Sequence, residues 1–107
     1  MKAAQTAGHK GPGFVRSEIE AALRVFAEWP SIRRVWLFGS VAKGRRLDFR
    51  SDIDFAVEGL PATAHYRALS KLEAVLSLPA DLVRWEDADE VLRSQISEWG
   101  IVVYART

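Results

Sequence analysis

Two aspartates one residue apart, Asp52 and Asp54, are the side chains of this sequence best placed to do chemistry. They stand in the run Ser51-Asp52-Ile53-Asp54-Phe55-Ala56-Val57, where Ile53, Phe55 and Val57 alternate with Asp52, Asp54 and Ala56. Alternation is the strand period, so the apolar set turns to one side and the carboxylates to the other, roughly 6–7 Å apart at Cβ. Two carboxylates on one rigid strand can hold a hard divalent cation, or bridge two. Magnesium suits such a place, because it takes few carboxylates and fills its other positions with water and phosphate oxygens. Without a cation the two charges repel and one pKa rises. The acids alone also fit a plainer reading, a solvated pair at a strand mouth.

Two further features bear on the pair. Gly39-Ser40 follows the apolar run Val35-Trp36-Leu37-Phe38 and precedes Val41-Ala42-Lys43, which has room for a helical turn or two before Gly44. A glycine lets the backbone come close to a phosphate, and free N–H groups with a serine hydroxyl donate to it. The alternative is a tight strand-to-helix turn with Ser40 as its cap. The spacing Gly-x-x-x-x-Gly-Lys-[Ser/Thr] is absent, so this is not a Walker loop. Asp81 stands in Leu78-Pro79-Ala80-Asp81-Leu82-Val83, an acid in an otherwise apolar strand. A buried carboxylate without a partner is costly, so a metal or another partner is expected there, unless Asp81 caps the turn after Pro79. If its strand neighbours that of Asp52 and Asp54, it completes a site of three carboxylates. Lys43, Arg45 and Arg46 are candidate phosphate neutralisers or simply a solvated basic loop. His9 and His65 read as surface residues rather than ligands.

The elements that position these residues can be read from periodicity. Residues 1–13, with Gly8, Gly11, Pro12 and Gly13, read as a flexible tail, and 14–107 as one domain. Ser17 and Glu20 form a capping box that opens a helix whose buried face is Ile19, Ala22, Leu23 and Phe26, closed by Pro30. Strands follow at 35–38 and 52–58. A helix over 62–77 is expected to bury Tyr66, Leu69, Leu72, Val75 and Leu76. A third strand runs from Ala80 to Trp85. Asp87 and Glu90 form a second capping box for a helix ending at Gly100, and Ile101 to Tyr104 form a fourth strand. Helices and strands alternate, which predicts an α/β (α+β) single domain with a mixed sheet of about four strands. Of four tryptophans, Trp36 and Trp85 are expected in the core, while Trp29 and Trp99 suit either the core or an interface.

Composition sets the remaining bounds. The sequence has 107 residues, 49% hydrophobic and 27% charged, with a net charge of +1. That is enough for one core, and it supplies no global basic field for nucleic acid. There is no cysteine, so disulfides and thiolate chemistry are excluded. The first residues lack the apolar stretch of a secretory signal, and no run reaches the ~18 apolar residues that span a bilayer. A cytoplasmic protein is expected.

Gly39-Ser40, eleven residues, Asp52-Ile53-Asp54, then Asp81 in a hydrophobic strand resembles the nucleotidyltransferase superfamily of DNA polymerase beta, and at this length its minimal nucleotidyltransferases. The likeness covers about 17–104, with a Gly-Ser to Asp gap slightly longer than the commonest form. It implies transfer of a nucleoside monophosphate, AMP from ATP being the expected case, to a hydroxyl acceptor with release of pyrophosphate. It also implies two magnesium ions held by Asp52, Asp54 and Asp81, with Asp81 directing the proton of the acceptor. Gly39 and Ser40 would cradle the β- and γ-phosphates, with Ser51 and Lys43 beside the nucleotide. Larger members carry a helical domain that presents the acceptor. None follows Thr107, so the resemblance implies a separate partner, a small helical HEPN-type protein of which this chain is the antitoxin. Self-association stays open. The competing expectations are a binding module that neutralises a partner by occlusion, and an antibiotic-modifying transferase with its acceptor site on another subunit.

Overall fold

The computed structural model describes residues 12–39 and 52–106. Helix α1 spans Pro12–Phe26 and so starts upstream of the expected capping box at Ser17. Proline at a helix start has its φ already set and no N–H to leave unpaired, which lets the chain turn helical before Ser17. Pro12 and Gly13, expected in the tail, are therefore its first residues, and residues 1–11 lie outside the described part. Ala22, Val25 and Phe26 are buried and Ile19 and Leu23 pack beside them, the face read from the sequence.

The strands are β1 (Arg34–Phe38), β2 (Ile53–Glu58), β3 (Ala80–Arg84) and β4 (Ile101–Ala105), in the order β3-β2-β1-β4. β2 runs antiparallel to β1 and parallel to β3, and β4 pairs antiparallel with β1, so the sheet is mixed. Helices α2 (His65–Val75) and α3 (Glu90–Trp99) complete the elements. Val35, Leu37, Ile53, Phe55 and Val57 turn to one face, where they meet α1 and α2 in the main core, and Phe26 meets Phe55 edge-on at 5.7 Å. Trp36 and Ala56 turn to the other face, under Ile96 of α3. Both faces of β1 are thus covered, as its unbroken apolar run predicts.

Four expectations need correction. The helix over 62–77 is a 3-10 turn, Ala62–Ala64, followed by α2, and Leu76 is already extended. Its buried line is Ala64, Ala68 and Leu72, whereas Tyr66 is 82% exposed and Val75 is also exposed. Small alanines let α2 lie close against the sheet, which selects the i, i+4 line through them over the larger side chains beside it. The third strand ends at Arg84, and Trp85 opens a second 3-10 turn, Trp85–Asp87. The cap of α3 is Asp89, whose carboxylate accepts from Leu92 N at 2.8 Å, while Asp87 pairs with Arg84.

The tryptophans divide as their neighbours dictate. Trp36 is buried and stacks on Trp85 at 4.7 Å, Trp29 packs against the main core, and Trp99 is 53% exposed. Among the described residues no helix is long and apolar enough to cross a membrane. The buried and exposed aromatics make a direct comparison. Phe55→Ala should lower unfolding stability by about 3–5 kcal/mol, and Tyr66→Ala by less than about 0.5 kcal/mol. Urea titrations followed by tryptophan fluorescence measure both, and equal losses would refute this assignment of the core.

Candidate active site

The sequence-predicted acids meet because of strand register. β2 and β3 lie side by side in parallel, with Ile53 opposite Ala80 and Asp54 opposite Asp81. Residues directly opposite one another turn to the same face, so Asp81 joins the face of Asp54. Asp52, just before β2, is exposed, and Ile53 after it is buried and donates from its N–H to Pro79 O at 2.9 Å. The condition under which Asp81 completes the group, adjacency of the two strands, is met.

Asp81 is not the buried, lone acid expected from its apolar neighbours. It is exposed, and its Oδ1 accepts from Leu82 N at 2.9 Å. The reason is topological: β3 is an edge strand, so water reaches the side of it that an inner strand would close. Asp54 is the acid that the fold withdraws from water. Its pKa is pushed up from the ordinary 3.8 to about 6, first by burial, then by the charge of Asp81, then by that of Asp52. Asp81 and Asp52 are therefore close enough to act on Asp54. As placed, no three acidic or imidazole side chains among the described residues surround a common point. Hard oxygen donors that repel one another are nonetheless the donor set a magnesium ion suits, and a cation would remove the repulsion.

Gly39 forms the other wall. Phe38 at the end of β1 pairs with Asp54, so the chain leaves β1 directly beside that carboxylate. Gly39 has φ +80°, and a Cβ there would overlap Asp54 Oδ2. The glycine is thus required twice, by its backbone conformation and by the closeness of Asp54. Ser40, Lys43, Arg45, Arg46 and Ser51 lie outside the described residues, as does His9. His65, expected at the surface, is half-buried at the start of α2, and its Nε2 lies 2.8 Å from Leu82 O, a carbonyl that can only accept. It ties the start of α2 to β3. One residue had no place among the sequence-predicted groups: Glu18, which lies between the capping-box residues Ser17 and Glu20, is a buried acid of α1, and its position on the line of Ala22, Val25 and Phe26 was the available signal.

The family model for polymerase beta-type nucleotidyltransferases (Polymerase beta, Nucleotidyltransferase) matches residues 20–107. A toxin–antitoxin structure with AMP-PNP is similar at 27% identity and a TM-score of 0.73, over 83% of this chain and 74% of that one. A structure assigned as a minimal nucleotidyltransferase is similar at 27% identity and a TM-score of 0.70, over 92% of this chain and 98% of the other. The fold is also that of a complex of a tri-AMPylated HEPN toxin from Shewanella oneidensis with its MNT antitoxin, at 24% identity and a TM-score of 0.68, over 85% and 73% of the two chains. No curated protein sequence matches.

Two measurements test the site. An acid whose pKa is higher folded than unfolded makes the folded state hold its proton more tightly, so stability falls as pH rises from 3.8 towards about 6 and is level above that. Metal-free protein should lose melting temperature across that window relative to Asp54→Asn, and added magnesium should restore it at neutral pH. An identical slope in the variant would refute Asp54 as the source of that loss. Gly39→Ala should cost about 1–2 kcal/mol in urea unfolding from its left-handed backbone alone, and it should displace the Asp54 carboxylate.

Proposed function

The chain belongs to the polymerase beta nucleotidyltransferase family, and from that premise we propose that it transfers AMP from ATP to a hydroxyl of a separate helical protein of the HEPN class, as the antitoxin of a pair. The observation that carries the reading is the register Asp54 opposite Asp81, with Gly39 closed against Asp54. It assembles, at one end of one sheet face, the groups that a triphosphate and its cations need.

Asp52 and Asp54 would hold the cations, with Asp81 completing the set. When bound, a pair of magnesium ions supplies charge stabilisation to the attacking and leaving oxygens of an in-line displacement. The chain's own residues do the rest. Gly39, closed against Asp54, would bring free backbone N–H groups to the phosphates at the close of β1, and Ser40, Ser51 and Lys43 are proposed beside the nucleotide on the sequence pattern alone. Asp81 is solvent-facing on an edge strand, and in this reading it would take the proton of an incoming hydroxyl. In that step the acceptor oxygen bonds to the α-phosphorus, the bond to the β-phosphate bridge breaks, and pyrophosphate leaves. The chain from the start of α1 at Pro12 onward acts as the catalytic unit in this reading.

Support for the partner comes from the toxin–antitoxin structure with AMP-PNP, which pairs a chain of this fold with a toxin and an ATP analogue. The HEPN toxin of the Shewanella complex names the class of acceptor to try first. A binding module that acts by occlusion alone would need neither the nucleotide nor the acids.

The test has two arms. Titration calorimetry with ATP and magnesium should show binding that Asp52→Asn weakens by at least about tenfold. Mass spectrometry of a co-expressed HEPN partner should show an added adenylate that disappears with Asp54→Asn. Partner neutralisation without any added mass would overturn transfer in favour of occlusion, and unchanged ATP binding in Asp52→Asn would remove the site.

A further inference from the structure

Glu18 is the sole buried charged side chain among the described residues, 5% exposed, and none of the chemistry above uses it. It projects from α1, yet its contacts lie at the far side of the chain, fifty-nine and sixty residues on. Its Oε1 accepts from Ser77 N at 2.8 Å and from Leu78 N at 3.2 Å. These two amides belong to the segment that leaves α2 and enters β3. Leu76 is extended after the helix, Leu78 is buried, and Pro79 O accepts from Ile53 N at 2.9 Å. The next pairs along the strands are Ile53 with Ala80 and Asp54 with Asp81.

A carboxylate is an unusual choice for such a place. Burying a charge is expensive unless hydrogen bonds satisfy it, and a neutral side chain or water would satisfy two amides at lower cost. What the carboxylate adds is strength: a charge-assisted bond from each of two successive amides, about twice that of a neutral one. Held by one oxygen, Ser77 and Leu78 cannot slide relative to α1, and the chain enters β3 at one register. A slip of one residue would turn Asp81 to the opposite face and take it away from Asp54. The stretch that Glu18 fixes ends where β2 begins, one residue after Asp52 and one before Asp54.

We propose that Glu18 is a positioning residue of the carboxylate site, a clamp on the entry to β3 that sets Asp81 against Asp54; the inference rests on the nucleotidyltransferase reading above. Its role is independent of nucleotide contact, since its partners are backbone amides.

Three variants of the full chain test this. Glu18→Gln keeps an oxygen able to accept from both amides, Glu18→Ala removes it, and Leu60→Ala removes a buried side chain at the far end of β2 as a control for lost stability. Mn²⁺ alone, titrated by electron paramagnetic resonance, reports the site, and amide hydrogen exchange at Ile53, which donates to Pro79 O, reports the strand pairing. Glu18→Ala should raise the half-saturating Mn²⁺ concentration roughly tenfold and speed exchange at Ile53. Glu18→Gln should stay within about twofold of wild type, following the retained acceptor. Leu60→Ala should change neither, even where its melting temperature falls as far. Wild-type Mn²⁺ affinity and Ile53 exchange in folded Glu18→Ala, or an equal shift in Leu60→Ala, would overturn the proposal. Should Glu18→Ala not fold, Glu18→Asp, one methylene too short to reach both amides, carries the same comparison. A wild-type chain that binds no Mn²⁺ would overturn the nucleotidyl-transfer reading instead, and Ile53 exchange in the variants would then decide the role of Glu18 by itself.

Discussion

Asp54 and Asp81 stand opposite one another across a parallel strand pair, with Asp52 beside them, and like charges so placed repel. At a 4 Å separation two unit charges interact with about 1 kcal/mol in water and about 4 kcal/mol near a protein surface. The sheet holds them together because the reverse side of the same strand is apolar. Ile53, Phe55 and Val57 are all fully buried, and each contributes about 1.5–3 kcal/mol by leaving water. The core face of β2 therefore outweighs the repulsion on its other face. The alternation that makes β2 a strand also makes it a support for charge.

The face that carries the acids is divided. Along β2 it presents Asp54, then Ala56, then Glu58, and α3 covers only the middle, where Ile96 packs on Ala56 and Trp36. Trp85 stacks on Trp36 and shelters the same region, with Arg93 lying over its ring at 5.0 Å. The middle of the face is thus closed and apolar, and the end at Asp54 is left to the carboxylates and Gly39. The small size of Ala56 matters here, since a larger residue would lift α3 away from the sheet.

Much of this was legible in the sequence, for identifiable reasons. β1 and β2 announce themselves by an unbroken apolar run and by strict alternation, and both were located to within a residue. The Asp-X-Asp pair alone fits a solvated strand mouth, and it stood out only through Gly39-Ser40 upstream and Asp81 downstream. What was not legible depends on distant partners. Nothing in Leu78-Pro79-Ala80-Asp81-Leu82 says that the strand lies at an edge, so Asp81 read as buried. The line of α2 that meets the sheet runs through alanines, whose small size is decisive only once the partner surface is known. Glu18 carried no reading of its own beside the capping-box pair Ser17 and Glu20, and only the fold reveals that its oxygen reaches amides some sixty residues away. Gly39 was read as a glycine for phosphate approach, and the structure adds that Asp54 itself occupies the space a side chain would need.

β4 carries Ile101, Val102 and Tyr104, all exposed, on the open edge of the sheet next to β1. A flush apolar edge of this kind is a template for another strand, and a chain so built would be prone to aggregate. Its register against β1 shifts between Val35 and Trp36, so that Tyr104 and Val102 face successive residues and Val103 has none opposite. Val103 instead packs towards the core, and Arg106 is drawn back onto Pro30 O. The extra residue breaks the row of outward-pointing backbone groups in the middle of a five-residue strand. The irregularity thus blunts the edge that a regular β4 would offer to another strand.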